Sequence, residues 1–217
     1  VMAQKDLPAY RKTGPVYIVN DATGIQSVLY VTEHLHVTDS SWHYFLQLHA
    51  VKDNRELNSK PIAITHGDSA GVGPETIVQA FRDAPELLRG CFVVGEVATL
   101  RRAAASVLRP GEPLVPLAVL DHPAQAWEVP PRCVPLWPVP DLPGPQPWGQ
   151  VSALAGQAAG QCVQWAARAA LRGEVAALVT APLHKEALAA AGFSYPGHTE
   201  LLQAEAAQHA GVPLAQM

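Results

Sequence analysis

No run in this chain approaches the roughly 18–20 consecutive apolar residues of a membrane-spanning helix, and the N-terminus lacks the continuous apolar stretch of a secretion signal. Cysteine is scarce. Cys91, Cys133 and Cys162 are odd in number, far apart and outside any Cys-x-x-Cys spacing, which argues against a disulfide framework and for small buried hydrophobes in a reducing compartment. A strong charge of either sign is also missing: 15 basic against 19 acidic residues leave −4, too mild for a nucleic-acid surface. Aromatics are only 6% and charged residues 16%, yet 48% of residues are hydrophobic, which excludes wholesale disorder. The chain therefore reads as soluble and cytoplasmic, one medium domain with a small appendage, and without a membrane or nucleic-acid partner.

Proline is in excess, and it is unevenly spread. Of the 20 prolines, 2 precede residue 60 and 12 fall within 110–149. Residues 1–59 also hold 4 of the 5 tyrosines and 4 of the 9 histidines, whereas 151–217 hold 20 alanines. Two textures suggest two units, 1–59 and 60–217, with the boundary at Asn58–Lys60. In the leader, Pro15–Asn20, Ile25–Val37 and Trp42–Val51 are rich in β-branched and aromatic residues. The turn sequences Asp21–Gly24 and Thr38–Ser41 separate them, so a three-stranded antiparallel meander is expected.

From Lys60 the pattern changes to strands alternating with helices. Strands are expected at Pro61–Thr65, Cys91–Val94 and Val175–Thr180. Helices are expected at Pro74–Leu88, Ala98–Leu108, Val151–Leu171, Leu183–Ala191 and Thr199–Ala210. The proline-rich stretch between them should supply only loops and extended edge segments. Such alternation predicts an α/β fold with a mostly parallel sheet.

Two segments could carry chemistry. His66-Gly67-Asp68-Ser69-Ala70-Gly71-Val72-Gly73-Pro74-Glu75 joins a strand to a helix, where glycines allow tight turning and close approach of an anion. It is not a Walker A loop, and Thr76 stands where a dinucleotide fingerprint needs its third glycine, so a tight structural turn is an equal reading. The second segment combines Thr180–Glu186, at a strand's carboxyl end, with Tyr195-Pro196-Gly197-His198-Thr199-Glu200 at a helix start. Imidazole, hydroxyl and free helix N–H groups there suit a phosphate or carboxylate, and a capping Thr199 beside a surface histidine is the plainer reading. In the leader, His34 and His36 share a strand face. With His43 and His49 they could converge on a metal if the strands pair suitably, although a histidine-bearing solvated face is simpler.

Three stretches in order, PIAITHGDSAGVGPETIVQAF, GQVSALAGQAA and GEVAALVTAPLHKEALAAAGFSYPGHTELL, make Lys60–Met217 resemble the N-terminal half of the 4-hydroxythreonine-4-phosphate dehydrogenase (PdxA) family. The resemblance implies a three-layer sandwich like that of isocitrate and isopropylmalate dehydrogenases, here truncated. It implies NAD(P)-dependent oxidation of 4-phosphooxy-L-threonine, with loss of CO₂, in pyridoxal phosphate biosynthesis. The alternatives are a related threonate or erythronate 4-phosphate dehydrogenase and a non-catalytic phosphate-binding fragment. It also implies a homodimer, NAD or NADP, and a divalent metal (Zn, Mg or Co) whose ligands in the family lie beyond Met217.

The family's Gly-His-Thr-Glu motif makes His198 and Thr199 substrate-binding residues; Asp68 shapes the cleft, and Lys185 is a weaker candidate. Catalytic and cofactor-binding residues are not assigned. His66 and Ser69 depart from the family's Met and Pro. With about half an active site, the chain alone is expected to show no turnover.

Overall fold

The computed structural model describes residues 60–139 and 145–213, together with the backbone of four short strands nearer the N-terminus. The chain divides into two compact units, Val1–Asp53 and Asn54–Met217.

In the first unit, β1 (Val16–Asn20) pairs antiparallel with β2 (Ile25–Leu29), and β3 (His34–Thr38) with β4 (Ser41–Phe45). These are two separate two-stranded ribbons, so the expected three-stranded meander is corrected. A single strand over Ile25–Val37 would outrun any partner of five residues; the pairing ends at Leu29 and begins anew at His34. The register sets His36 opposite His43. Asp21–Gly24 and His49 lie outside the described residues.

The second unit is built on five parallel strands, β5 (Ile62–Thr65), β6 (Cys91–Gly95), β7 (Leu117–Val119), β8 (Val134–Pro138) and β9 (Ala177–Thr180), in the order β7-β8-β6-β5-β9. Their residues are apolar on both faces because helices cover both. On one side lie α1 (Gly73–Asp83) and α2 (Val97–Ser106), whose Ile77, Val78, Phe81 and Leu100 join Ile64, Cys91, Val93 and Val179 in one core. The alternate strand residues face the other side, where Phe92 meets Trp165 of α3 (Ala153–Leu171) edge-on at 6.0 Å between ring centroids. The result is the α/β fold with a parallel sheet that the strand–helix alternation predicts, in the three-layer sandwich that the family resemblance implies.

Several details differ from the sequence pattern. Helix α1 stops at Asp83 rather than Leu88, because Pro85 disfavours helical dihedrals at Ala84, which adopts φ −135°. The proline-rich stretch was expected to form edges and loops, yet β8 is an interior strand. Its prolines are placed so that this costs nothing. Val134 N–H bonds toward β7 and Val139 N–H toward β6, so Pro135 would donate toward β6 and Pro138 toward β7. Pairing with β6 begins only at Leu136, and pairing with β7 ends there, so neither absent N–H falls in a ladder.

Among the described residues no helix is long and apolar enough to cross a membrane. Cys91 and Cys162 are buried and Cys133 half-buried; burial raises all three thiol pKa values, that of Cys91 to about 11. None is poised as a thiolate near neutral pH.

Candidate functional site

The chain runs outward from β5 through α1 to β6, then returns through α3 to β9 on the other side of β5. Open parallel sheets bind ligands outside the carboxyl ends of the strands flanking such a reversal. Here those ends carry the glycine loop after β5 and the Ala181–His184 segment after β9.

The two loops interlock. Asp68 N–H donates to Pro182 O at 2.9 Å, and a Cβ on Gly67 would lie 2.3 Å from that same oxygen. Gly67 also sits at φ +75°, so glycine is required there twice over. A Cβ on Gly73 would meet His66 O at 2.6 Å and the Ala181 methyl at 3.2 Å. Asp68 binds its own turn, accepting from Ala70 N–H through Oδ1 at 2.9 Å and from Gly71 N–H through its carbonyl at 3.0 Å. Arg102 of α2 holds the loop from outside, donating to Ser69 O at 2.6 Å and to Gln146 O while lying over the Trp148 ring. Trp148 in turn donates to Glu75 Oε1 at 3.0 Å. The glycines thus serve close packing and turning, the structural reading of this loop. The N–H groups of Asp68, Ala70 and Gly71 are spent within the protein and the Asp68 carboxylate sits among them, which disfavours a pyrophosphate at this loop.

Behind the loop, His66 is fully buried against Gly95, and neither ring nitrogen has a hydrogen-bond partner. Burial lowers its pKa from 6.5 to about 4, and the Glu96 charge and nearby Gly67 backbone offset this only partly. It is a neutral imidazole, held away from the crevice.

The third wall is α5 (His198–Ala210). Thr199 was expected to cap it. Instead Gly197, at φ −176° and ψ −165°, is the N-cap and supplies no side-chain bond, and Thr199 is the second helical residue. The helix starts one residue early because extended dihedrals end at Gly197, so the hydroxyl is left exposed rather than spent on capping. The half-buried His198 ring lies 3.1 Å through Nε2 from Ala181 O. A carbonyl can only accept, so the proton is on Nε2, and the bond ties α5 to the β9 loop. His184 caps α4 (Lys185–Ala190), its Nδ1 accepting from Ala187 N–H at 3.4 Å, which leaves it a structural role. Lys185 is exposed, and its Cε would be 3.7 Å from a Cβ on Gly197.

Sequence reasoning missed what sets the angle of α5. Glu205, only 5% exposed, accepts from Gln164 at 2.9 Å and from Arg168 at 2.7 and 3.0 Å, both on α3. A carboxylate among alanines in a helix was its one visible signal.

The family model for pyridoxal phosphate biosynthetic protein PdxA matches residues 88–216, more than half of the chain. The chain belongs to the PdxA family. It is 44% identical over 153 residues to a D-threonate 4-phosphate dehydrogenase of Salmonella typhimurium, an alignment covering 67% of this chain and 44% of that protein. It is 42% identical over 144 residues to a 4-hydroxythreonine-4-phosphate dehydrogenase of Trichlorobacter lovleyi, covering 65% and 41%. Among solved structures, a 4-hydroxythreonine-4-phosphate dehydrogenase of Klebsiella pneumoniae superposes with TM-score 0.58 at 41% identity, over 69% of this chain and 45% of that one. The chain thus spans less than half the length of these PdxA relatives.

The group implied by the family but not matched by these residues is the metal. Among the described residues no three His, Cys, Asp or Glu side chains are grouped to hold an ion.

Proposed function

We propose that this chain contributes the substrate-contacting turn of an NAD(P)-dependent dehydrogenase acting on a four-carbon hydroxy acid phosphorylated at C4. The supporting observation is the Gly197-His198-Thr199 turn, which opens α5 beside the crevice at the ends of β5 and β9. 4-Phosphooxy-L-threonine is the first candidate substrate. Its secondary alcohol would be oxidised and the resulting β-keto acid would lose CO₂.

Bound NAD or NADP would accept the hydride. The described residues of the second unit do not form a metal site. What these residues do is bind and orient. The first-turn N–H groups of α5 have no helical partners and carry the positive end of the helix dipole, which favours an anionic oxygen. Thr199 Oγ can donate to the same group. His198, its ring fixed by Ala181, packs at the mouth and limits how the ligand can turn. We place the enzyme in the cytoplasm as a homodimer, by the same family reasoning.

D-Threonate 4-phosphate is a second reading, favoured by three relatives of that name, one of them termed putative, at 43–44% identity. Titration of both phosphorylated acids into the 217-residue chain tests the proposal. Binding of at least one is expected, weakened about tenfold by His198→Ala and by Thr199→Val. If neither acid binds, or neither substitution matters, the proposal fails.

A further inference from the structure

We infer that the ribbon of β3 and β4 is a zinc site, with His34, His36 and His43 as the ligands. The inference stands apart from the dehydrogenase reading and rests on backbone register in the first unit. His36 lies directly opposite His43, and His34, two residues before His36, falls on the same face of the ribbon. Thr38, Ser41 and Phe45 complete that face, so nothing on it adds a cation that would repel a metal. The other face takes the pairs Leu35–Tyr44 and Val37–Trp42. Register thus keeps all three histidines off the face made of aliphatic and aromatic residues. A slip of one residue between the strands would part His36 and His43 onto opposite faces.

Imidazole is a good zinc ligand, and the site needs its donor nitrogens gathered roughly 2 Å from one point. Residues directly opposed across an antiparallel pair have Cβ atoms about 4.5–5.5 Å apart, and diagonal neighbours such as His34 and His43 about 7–8 Å. Two imidazoles can close either span on one ion. Three histidines also leave the fourth tetrahedral position for water. A two-stranded ribbon is marginal in water, and an ion bound to both strands would add its binding free energy to the ribbon's stability.

The test is titration of Zn²⁺ into the 217-residue chain, read by calorimetry and by amide hydrogen exchange. One ion is expected to bind on the ribbon and to slow exchange in β3 and β4 about tenfold, leaving β1, β2 and the second unit unchanged. His36→Ala and His43→Ala should each weaken binding about thirtyfold, while His209→Gln, at an exposed position of α5, stays within about twofold. With Co²⁺ in place of Zn²⁺, His43→Cys should add the near-ultraviolet absorption of a cobalt-bound thiolate, which a histidine of purely structural role would not yield. His43→Ala combined with Tyr44→His keeps the histidine count but moves one imidazole to the other face, and should bind no better than His43→Ala alone. Absence of stoichiometric binding to wild type overturns the inference, as does binding unaltered by His36→Ala and His43→Ala. Slowed exchange outside β3 and β4 without any inside them also overturns it, and so does wild-type affinity in the chain with its histidine moved. None of these outcomes touches the proposed function, whose residues lie in the second unit.

Discussion

The two units of this chain pair their strands in opposite ways. In the first, Asn20 faces Ile25 and Thr38 faces Ser41, so each ribbon pairs strands that are neighbours in sequence. In the second, Ile62 lies between Cys91 and Ala177, and the sheet exists only after helices have carried the chain across it. A two-stranded ribbon is at best marginally stable by itself, whereas a parallel sheet covered on both faces holds a core. The candidate site belongs to the second kind of pairing. Its walls come from residues near 67, 181 and 198, which only the crossovers bring together.

The most severe way to probe that contrast is to separate the helices packed behind the sheet. Gly156 of α3 lies so close to α4 that a Cβ would stand 1.9 Å from Ala187 O and 2.2 Å from Ala187 C. Backbone atoms of a packed helix cannot step aside as a side-chain end can. Gly156→Ala is therefore expected to destabilise the second unit by about 3 kcal/mol. Amide hydrogen exchange should show protection lost across α3, α4 and β9 while the exchange of β1–β4 is unchanged. Loss of protection in both units together would break the division into two.

A smaller effect separates the units by acid. His66 takes up a proton near pH 6.5 when unfolded but only near 4 when folded, so in that window the unfolded chain holds more protons. Stability accordingly falls as pH drops from 6.5 to about 4, by about 3 kcal/mol from this residue. His66→Met removes the titrating group and also two unpartnered buried nitrogens. Urea melts at pH 7 and pH 4.5 should show the variant losing clearly less stability than wild type between them. An identical loss in both would mean that His66 is not the buried neutral imidazole described above.

Much of the second unit was legible because its signals are local. Apolar runs end at Thr65 and Thr180, Pro74 marks a helix start, and the Gly-His-Thr-Glu motif located the α5 turn without any knowledge of packing. What was hidden depends on partners far along the chain. The interior position of β8 depends on which neighbour each proline nitrogen faces, which composition cannot reveal. The Arg102 hold on Ser69 and Gln146, and the Glu205 clamp on α3, join segments that nothing local links. Thr199 reads as a cap in isolation; the anchoring of His198 to Ala181 accompanies a helix that starts at His198 instead. In the first unit, β-rich texture was readable but register was not, since Ile25–Val37 carries no break signal as strong as a glycine or proline.

The mildest test removes the first unit altogether. The sheet of the second is already tied at its start, where Ile62 N–H donates to Gly90 O and Pro61 O accepts from Ala176 N–H at 2.9 Å. We propose that a chain starting at Asn54 and one starting at Lys60 both retain the α/β fold, with melting temperatures within about 2 °C of each other and of the intact protein. They should keep the same loss of stability between pH 7 and 4.5, since its cause, His66, remains in both. A drop of 5 °C or more for the chain starting at Lys60 alone would move the working boundary to Asp53–Asn54 and make residues 54–59 part of the fold. A drop in both would show that the ribbons, whose pairing is purely local, nevertheless stabilise a sheet whose pairing is not.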